Sequence, residues 1–227
     1  MLPVAILAGG LATRLRPVTE SIPKALVEIA GEPFVAHQLR LLKSRGIERA
    51  VFCLGYRGEM VEQFVGDGRD FGIDVAYSYD GPVLRGTGGA VHQALPLLGE
   101  TFFVLYGDSY LPCDYRAVEE AFLHCGREAL MTVFRNDGQW DASNVEFSDG
   151  RIVAYDKKAR TPRMRYVDYG LGAFHRETFG KDSVYDLAEV YRDLLSRNEL
   201  AAFEVAERFY EVGSFAGMAE LSERLKP

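Results

Sequence analysis

Apolar positions in this 227-residue chain gather in short blocks separated by amphipathic stretches. The runs at 4–7, 50–54 and 102–106 are apolar almost throughout, the pattern of strands covered on both faces, and 73–79 reads as a further strand. Between them the spacing changes to three and four. Val35, Leu39 and Leu42 mark the inner face of a helix predicted over 33–44, with Arg40 and Lys43 turned outward. Helices over 59–65 and 88–97 and a short strand over 26–29 complete the first half. Strand, helix and strand in alternation predict a mostly parallel, doubly wound sheet, whose ligands bind beyond the carboxyl ends of its strands.

The second half has shorter elements. A helix over 115–125 leads into a strand over 129–135. Strands over 144–147 and 151–155 then flank the turn Ser148-Asp149-Gly150, a hairpin that opens a small β-rich lobe. A glycine-bearing strand over 168–174 follows, then a helix over 185–196 with Leu187, Val190, Tyr191 and Leu194 on one face. Strands over 200–205 and 209–212 and a helix over 215–225 close the chain. The predicted fold is α/β: a Rossmann-like mixed, mostly parallel sheet with helices on both faces and a small β-rich substrate lobe, in one domain over 1–227.

A hydrophobic content of 48% is enough to bury a core at this length. The formal charge of −7 argues against general affinity for nucleic acid or an anionic membrane, both of which need a basic face. No stretch approaches the roughly 18 to 20 apolar residues that span a bilayer, and no basic segment precedes the first apolar run. A cytoplasmic protein is expected. Cys53, Cys113 and Cys125 show no metal-type spacing and read as reduced packing residues, and the four histidines form no partner pattern.

Chemistry concentrates where strands end. The run over 4–7 leaves through Leu7-Ala8-Gly9-Gly10-Leu11-Ala12-Thr13-Arg14, with Pro23-Lys24 a short way on. Glycines after a strand can make a tight turn or let several backbone N–H groups face one set of phosphate oxygens, and Arg14 and Lys24 would add formal charge to the second arrangement. The spacing fits neither the dinucleotide-fold glycine pattern nor the P-loop. A second glycine cluster, Gly86-Thr87-Gly88-Gly89, opens the helix over 88–97, and Gly107-Asp108 ends the most strand-like run. A carboxylate in that place either caps the next turn or holds a hard divalent cation.

In these motifs the chain resembles the sugar-1-phosphate nucleotidylyltransferase family, whose opening signature is close to Leu-Ala-Gly-Gly-x-Gly-Thr-Arg-Leu-x-Pro followed by Pro-Lys-Pro. Ala12 stands where the family has glycine, Ala25 where it has the second proline, and Arg85 is an added residue before the second glycine cluster. The resemblance implies a nucleotide-binding part over about 1–112 and a sugar-phosphate-binding part over about 113–227. It implies that Leu7, Ala8, Gly9, Gly10, Leu11, Ala12, Thr13 and Arg14 hold the triphosphate, and that Gly86, Thr87, Gly88 and Gly89 line the base and ribose. Arg14, Lys24 and Lys158 would be catalytic. Asp108, Asn144, Lys158 and Gly170 would meet the sugar phosphate. Asp108 and Glu211 would hold Mg2+, Glu211 standing where the family has aspartate and Lys157 where it has glutamate.

The implied reaction joins a nucleoside triphosphate and a sugar 1-phosphate. A phosphate oxygen of the sugar attacks the α-phosphorus and pyrophosphate leaves. That nucleophile is already an anion, so the demand is for alignment and charge neutralisation rather than a general base. Small relatives of this type include heptose- and mannose-1-phosphate guanylyltransferases, which suggest GTP, and N-acetylmuramate-1-phosphate uridylyltransferases, which use UTP. A CTP enzyme with a non-sugar phosphate or phosphonate acceptor and a non-catalytic nucleotide-sugar-binding regulator are the other readings. The resemblance is compatible with a homo-oligomer.

Overall fold

The computed structural model describes residues 1–10, 15, 18–180 and 184–226. In chain order the strands are β1 (Val4–Leu7), β2 (Glu28–Ile29), β3 (Glu32–Pro33), β4 (Arg49–Leu54), β5 (Asp74–Tyr79), β6 (Thr101–Tyr106) and β7 (Ser109–Tyr110), then β8 (Ala129–Arg135), β9 (Val145–Ser148), β10 (Arg151–Tyr155), β11 (Tyr166–His175), β12 (Leu200–Val205) and β13 (Tyr210–Glu211). The helices are α1 (Phe34–Ser44), α2 (Gly58–Val65), α3 (Gly86–Ala94), α4 (Tyr115–Cys125), α5 (Leu187–Ser196) and α6 (Phe215–Arg224).

One large sheet carries the fold. β5, β4, β1 and β6 lie side by side and parallel, and β11 joins β6 antiparallel with Leu171 opposite Leu105. β8 lies antiparallel to β11, and β12 parallel to β8. The β9–β10 hairpin leans on the start of β11, where Tyr166 faces Val145. Its turn residues Asp149 and Gly150 both take positive φ, +51° and +75°, as a two-residue hairpin requires.

Alternate side chains of the central strands feed two cores. Val4, Ile6, Phe52, Phe103 and Leu105 pack with Val35, Leu39, Val61 and Val118 from α1, α2 and α4. Ala5, Val51, Phe102 and Val104 pack on the opposite face with Val91, Leu187, Val190 and Leu194 from α3 and α5. The layers are therefore helix, sheet, helix, as the block pattern predicts. No helix among the described residues is long and apolar enough to cross a membrane.

Some boundaries differ from those read in the sequence. Only Glu28–Ile29 of the strand predicted over 26–29 pairs as a strand, because Lys24–Leu26 forms a 3-10 turn with Leu26 N–H donating to Pro23 O and Val27 caps that turn. The helix predicted from 88 begins at Gly86 and gives way to a 3-10 turn at Leu95–Leu97, where Pro96 cannot donate to the helical ladder. α5 starts at Leu187 rather than 185, fixed by a capping box between Asp186 and Glu189. The last predicted strand shrinks to Tyr210–Glu211 and pairs with Ser109–Tyr110 outside the large sheet, under α6.

Candidate active site

Because β1, β4, β5 and β6 run parallel, their carboxyl ends share one edge, and a cleft of about 390 Å³ opens there. Leu7, Ala8, Gly9 and Gly10 from the end of β1 form its floor, with Cys53 from β4, Asp80 after β5, and Tyr106, Gly107 and Asp108 from β6. Lys24, Gly86, Thr87, Asp186 and Gly213 close the sides.

The glycines do different jobs. Neither Gly9 nor Gly10 takes positive φ, so the conformational freedom the sequence suggested is not what they supply. Gly9 is needed for close packing, since a β-carbon there would lie 3.0 Å from the backbone N of Gly55, whereas at Gly10 it would meet nothing within 4 Å among the described residues. Gly10 lines the cleft, and among the described residues nothing crowds it there. Gly107 is tighter than either. Its N–H donates to Leu7 O at 3.0 Å, and a β-carbon would stand 2.6 Å from that same oxygen. Gly107→Ala should therefore destabilise the protein by about 1 to 3 kcal/mol, the usual cost of an overpacked site, read as a lowered denaturation midpoint in urea.

Lys24 and Asp108 meet across the cleft although 84 positions separate them. The Lys24 ammonium donates to Asp108 Oδ2 at 2.6 Å, with side chains 17% and 30% exposed. The turn that carries Asp108 is pinned from both sides. The Asp108 carbonyl accepts from Val212 N–H at 2.9 Å. On the other side the buried amide of Gln38, on α1, donates to Ser109 O at 2.8 Å and Tyr106 O at 3.4 Å. Glu211 lies opposite Ser109 in the β7–β13 ribbon, and its carboxylate stands against Gly213, which lines the cleft, while Glu211 itself is not part of the lining.

Three further acids or thiols line the wall. Asp80 is buried, and burial raises its carboxyl pKa against the opposing pull of the Arg85 N–H, which donates to Oδ2 at 3.1 Å. Cys53 is buried beside it, and burial together with Asp80 pushes the thiol up to about 12, so it stays protonated and unreactive near neutrality. Asp186 accepts from the Thr87 N–H and hydroxyl, each at 3.4 Å, while Leu187 N–H donates to Thr87 Oγ1 at 2.7 Å.

This interlock revises the reading of the second glycine cluster. Gly86 and Thr87 reach the cleft, but the N–H groups of Gly88 and Gly89 donate to Tyr185 O at 3.0 and 3.2 Å. A β-carbon on Gly88 would lie 2.4 Å from the Tyr185 ring, so that glycine admits a protein side chain rather than a flat ligand.

Sequence counting selects Lys158, but it is its neighbour Lys157, itself 40% exposed and outside the cleft lining, whose side chain makes contacts with the sheet. Lys158 is exposed, its N–H taken by Asp156 Oδ1 at 2.7 Å in a local turn. Lys157 Nζ donates to Tyr106 OH at 3.1 Å, rests 4.8 Å from the centre of that ring, and stands 3.4 Å from Asp168 Oδ2. Burial would lower the Lys157 pKa, but Asp168 and then Tyr106 outweigh it and hold the ammonium above its ordinary value. Burial, with Asp168 adding to it, pushes the Tyr106 phenol up to about 12. Gly170, at φ +102°, sits against Tyr106 and Ser109. Asn144 is buried behind them, its Oδ1 accepting from Asp168 N–H at 2.9 Å, a framework contact rather than a position on the cleft wall. Leu11, Ala12, Thr13 and Arg14 lie outside the described residues.

Lys157, Asp168, Asp80 and Gln38 were not selected in the sequence as site residues. An aspartate and a glutamine at otherwise apolar positions of β11 and α1 are the signals that point to two of them.

Residues 4–212 match the nucleotidyl transferase family model. The chain is 38% identical to N-acetylmuramate alpha-1-phosphate uridylyltransferase of Neisseria meningitidis serogroup B, over 95% of this chain and 94% of that protein. It is 39% identical to mannose-1-phosphate guanyltransferase of Gibberella zeae over 92% of its own length, and spans only 60% of that longer relative. The fold superposes on the crystal structure of HddC from Yersinia pseudotuberculosis with a TM-score of 0.85 at 24% identity, both chains fully covered.

Proposed function

The chain belongs to the nucleotidyl transferase family and is a sugar-1-phosphate nucleotidylyltransferase, and we propose on that premise that it uses GTP with a heptose- or mannose-type sugar 1-phosphate. The observation that carries the site assignment is the convergence of Gly10, Lys24 and Asp108 on one cleft at the carboxyl edge of the sheet. In this reading Lys24 holds the α-phosphate, and Arg14 with the N–H groups of the first loop holds the β- and γ-phosphates. The acceptor phosphate meets the lysine pair, with Lys157 rather than Lys158 as the cation that faces it. A division near residue 112 is supported by the cleft floor coming from before it and the Lys157, Asp168 and Gly170 group from after it, with Asp186 and Gly213 of the second part closing the cleft's sides.

The residues present fit a magnesium ion. Their donors are carboxylates, the hard oxygen set that Mg2+ prefers; Asp108 lines the cleft and Glu211 pairs in the β7–β13 ribbon with Ser109, the residue that follows it. Among the described residues no group of three or more His, Cys, Asp or Glu side chains could hold a metal, so the substrate's own phosphates would complete the shell. When bound, the ion would neutralise charge on the transferring phosphate and on the departing pyrophosphate. The protein's part is to align the two anions and keep Lys24 beside the reacting phosphorus. Both substrates are polyanions that do not cross a bilayer unaided, which supports a cytoplasmic site of action.

Asp80 supports guanine. Beyond the Arg85 N–H that Oδ2 accepts, the Asp80 carboxylate keeps lone pairs on both oxygens for the adjacent N–H donors of a guanine edge, whereas uracil presents a single imide donor. The full-length likeness to the uridylyltransferase favours the second reading, UTP with an N-acetylmuramate-type acceptor. Pyrophosphate release from the four ribonucleoside triphosphates, each tested against several sugar 1-phosphates, separates the two. With GTP preferred, Asp80→Asn is expected to narrow the preference for GTP over UTP by about tenfold, within the range of one paired base contact. An unchanged ratio would remove Asp80 from base reading.

A further inference from the structure

We propose that Asp168 is the positioning residue of the acceptor subsite, holding the Lys157 ammonium and the Gly170 backbone where the sugar phosphate meets them. The proposal rests on the reading of Lys157 as the acceptor cation.

Asp168 stands in β11, between two strands, with its side chain only 2% exposed. One oxygen accepts from Gly170 N–H at 3.1 Å. The other lies 3.4 Å from both Lys157 Nζ and Tyr155 OH. Apolar residues of similar volume generally stabilise such a position as well as a buried ion pair or better, so this pair has little to recommend it as a stability device. Its geometry suits another purpose. The carboxylate is hidden while Lys157 remains 40% exposed, so the pair presents positive charge outward and keeps its negative charge inside.

The same carboxylate shapes the backbone. The register of β11 against β8 breaks between Asp168 and Gly172, a bulge of the kind that re-aims a strand beside an active site. Within it Gly170 takes φ +102°, and a β-carbon there would sit 3.5 Å from Ser109 Oγ and from Tyr106 Cδ2, on either side of Asp108. Asp168 thus ties the acceptor cation and a glycine bulge to the stretch that bears the nucleotide-side carboxylate.

The test uses the purified full chain and the sugar 1-phosphate that the wild type accepts from a panel of mannose, glucose, N-acetylmuramate and heptose 1-phosphates. Asp168→Asn keeps the shape and the bond from Gly170 but removes the charge. It should raise KM for the sugar 1-phosphate at least about tenfold, the scale of one charge-assisted contact, while KM for the nucleotide and kcat at saturation stay within about threefold. Lys157→Ala should show the same split, and the double variant should be no worse than Lys157→Ala alone. If Asp168→Asn does not fold, Asp168→Glu retains the charge but displaces it, and should show a smaller rise confined to the acceptor KM. A rise in both KM values together, an unchanged acceptor KM, or multiplying effects in the double variant would overturn the proposal. A wild type that releases pyrophosphate from no pair overturns instead the reading beneath it.

Discussion

Lys24→Ala is expected to lower turnover by at least about 100-fold with both substrates saturating, the scale of losing one charge stabiliser at a transferring group. The loss will not be a folding defect. The Lys24–Asp108 pair is partly solvated, with 17% and 30% exposure, so its contribution to stability is about 1 kcal/mol or less. Lys24 sits on a one-turn segment whose shape comes from backbone bonds at Pro23 and Val27 that the substitution leaves in place. Urea midpoints of variant and wild type should therefore nearly coincide while single-turnover rates diverge. Near wild-type turnover in the variant would remove Lys24 from the chemistry, and with it the argument that this cleft neutralises two anions at once.

What the sequence discloses and what it hides follow from the range of the forces involved. The helix over 115–125 and the strand over 129–135 are found where spacing places them, because Asp114 caps the helix and each strand residue up to Phe134 has its own covered face. The turn at Asp149 and Gly150 is equally local. Lys24 and Asp108 could be named separately because each closes a recognisable motif, but their contact spans 84 positions and no local rule predicts it.

The lysine pair shows the limit most sharply. Counting from the hairpin selects Lys158, whereas the direction of each side chain is set by the Asp156 turn and by a carboxylate eleven residues further on. The glycines mislead in the same way. Gly9 and Gly88 look like openings for a ligand, and each is filled by another part of the chain, the Gly55 backbone and the Tyr185 ring. Only the assembled sheet edge distinguishes a glycine that admits substrate from one that admits protein.

Asp108→Asn carries the second large expectation, and its sign depends on the metal. With magnesium present, turnover should fall by about 100- to 1000-fold, because the amide keeps the shape but gives up the charge that the proposed metal role of Asp108 requires. The magnesium concentration giving half-maximal rate should rise in parallel. Without magnesium the prediction reverses. Asp108 is the partner that holds the Lys24 ammonium at 2.6 Å, and Asp80 and Asp186 share the same wall. Removing one negative charge and releasing Lys24 should make the metal-free cleft bind the bare triphosphate more tightly, by several-fold at low ionic strength and less at high salt. Equilibrium titration of nucleotide with and without magnesium measures both arms. A variant that binds nucleotide more weakly in both conditions would show that Asp108 supports the cleft's shape rather than its charge, and a variant unchanged in both would separate the metal site from this residue altogether. The opposed signs are what an electrostatic role requires, since a damaged fold would weaken both arms together.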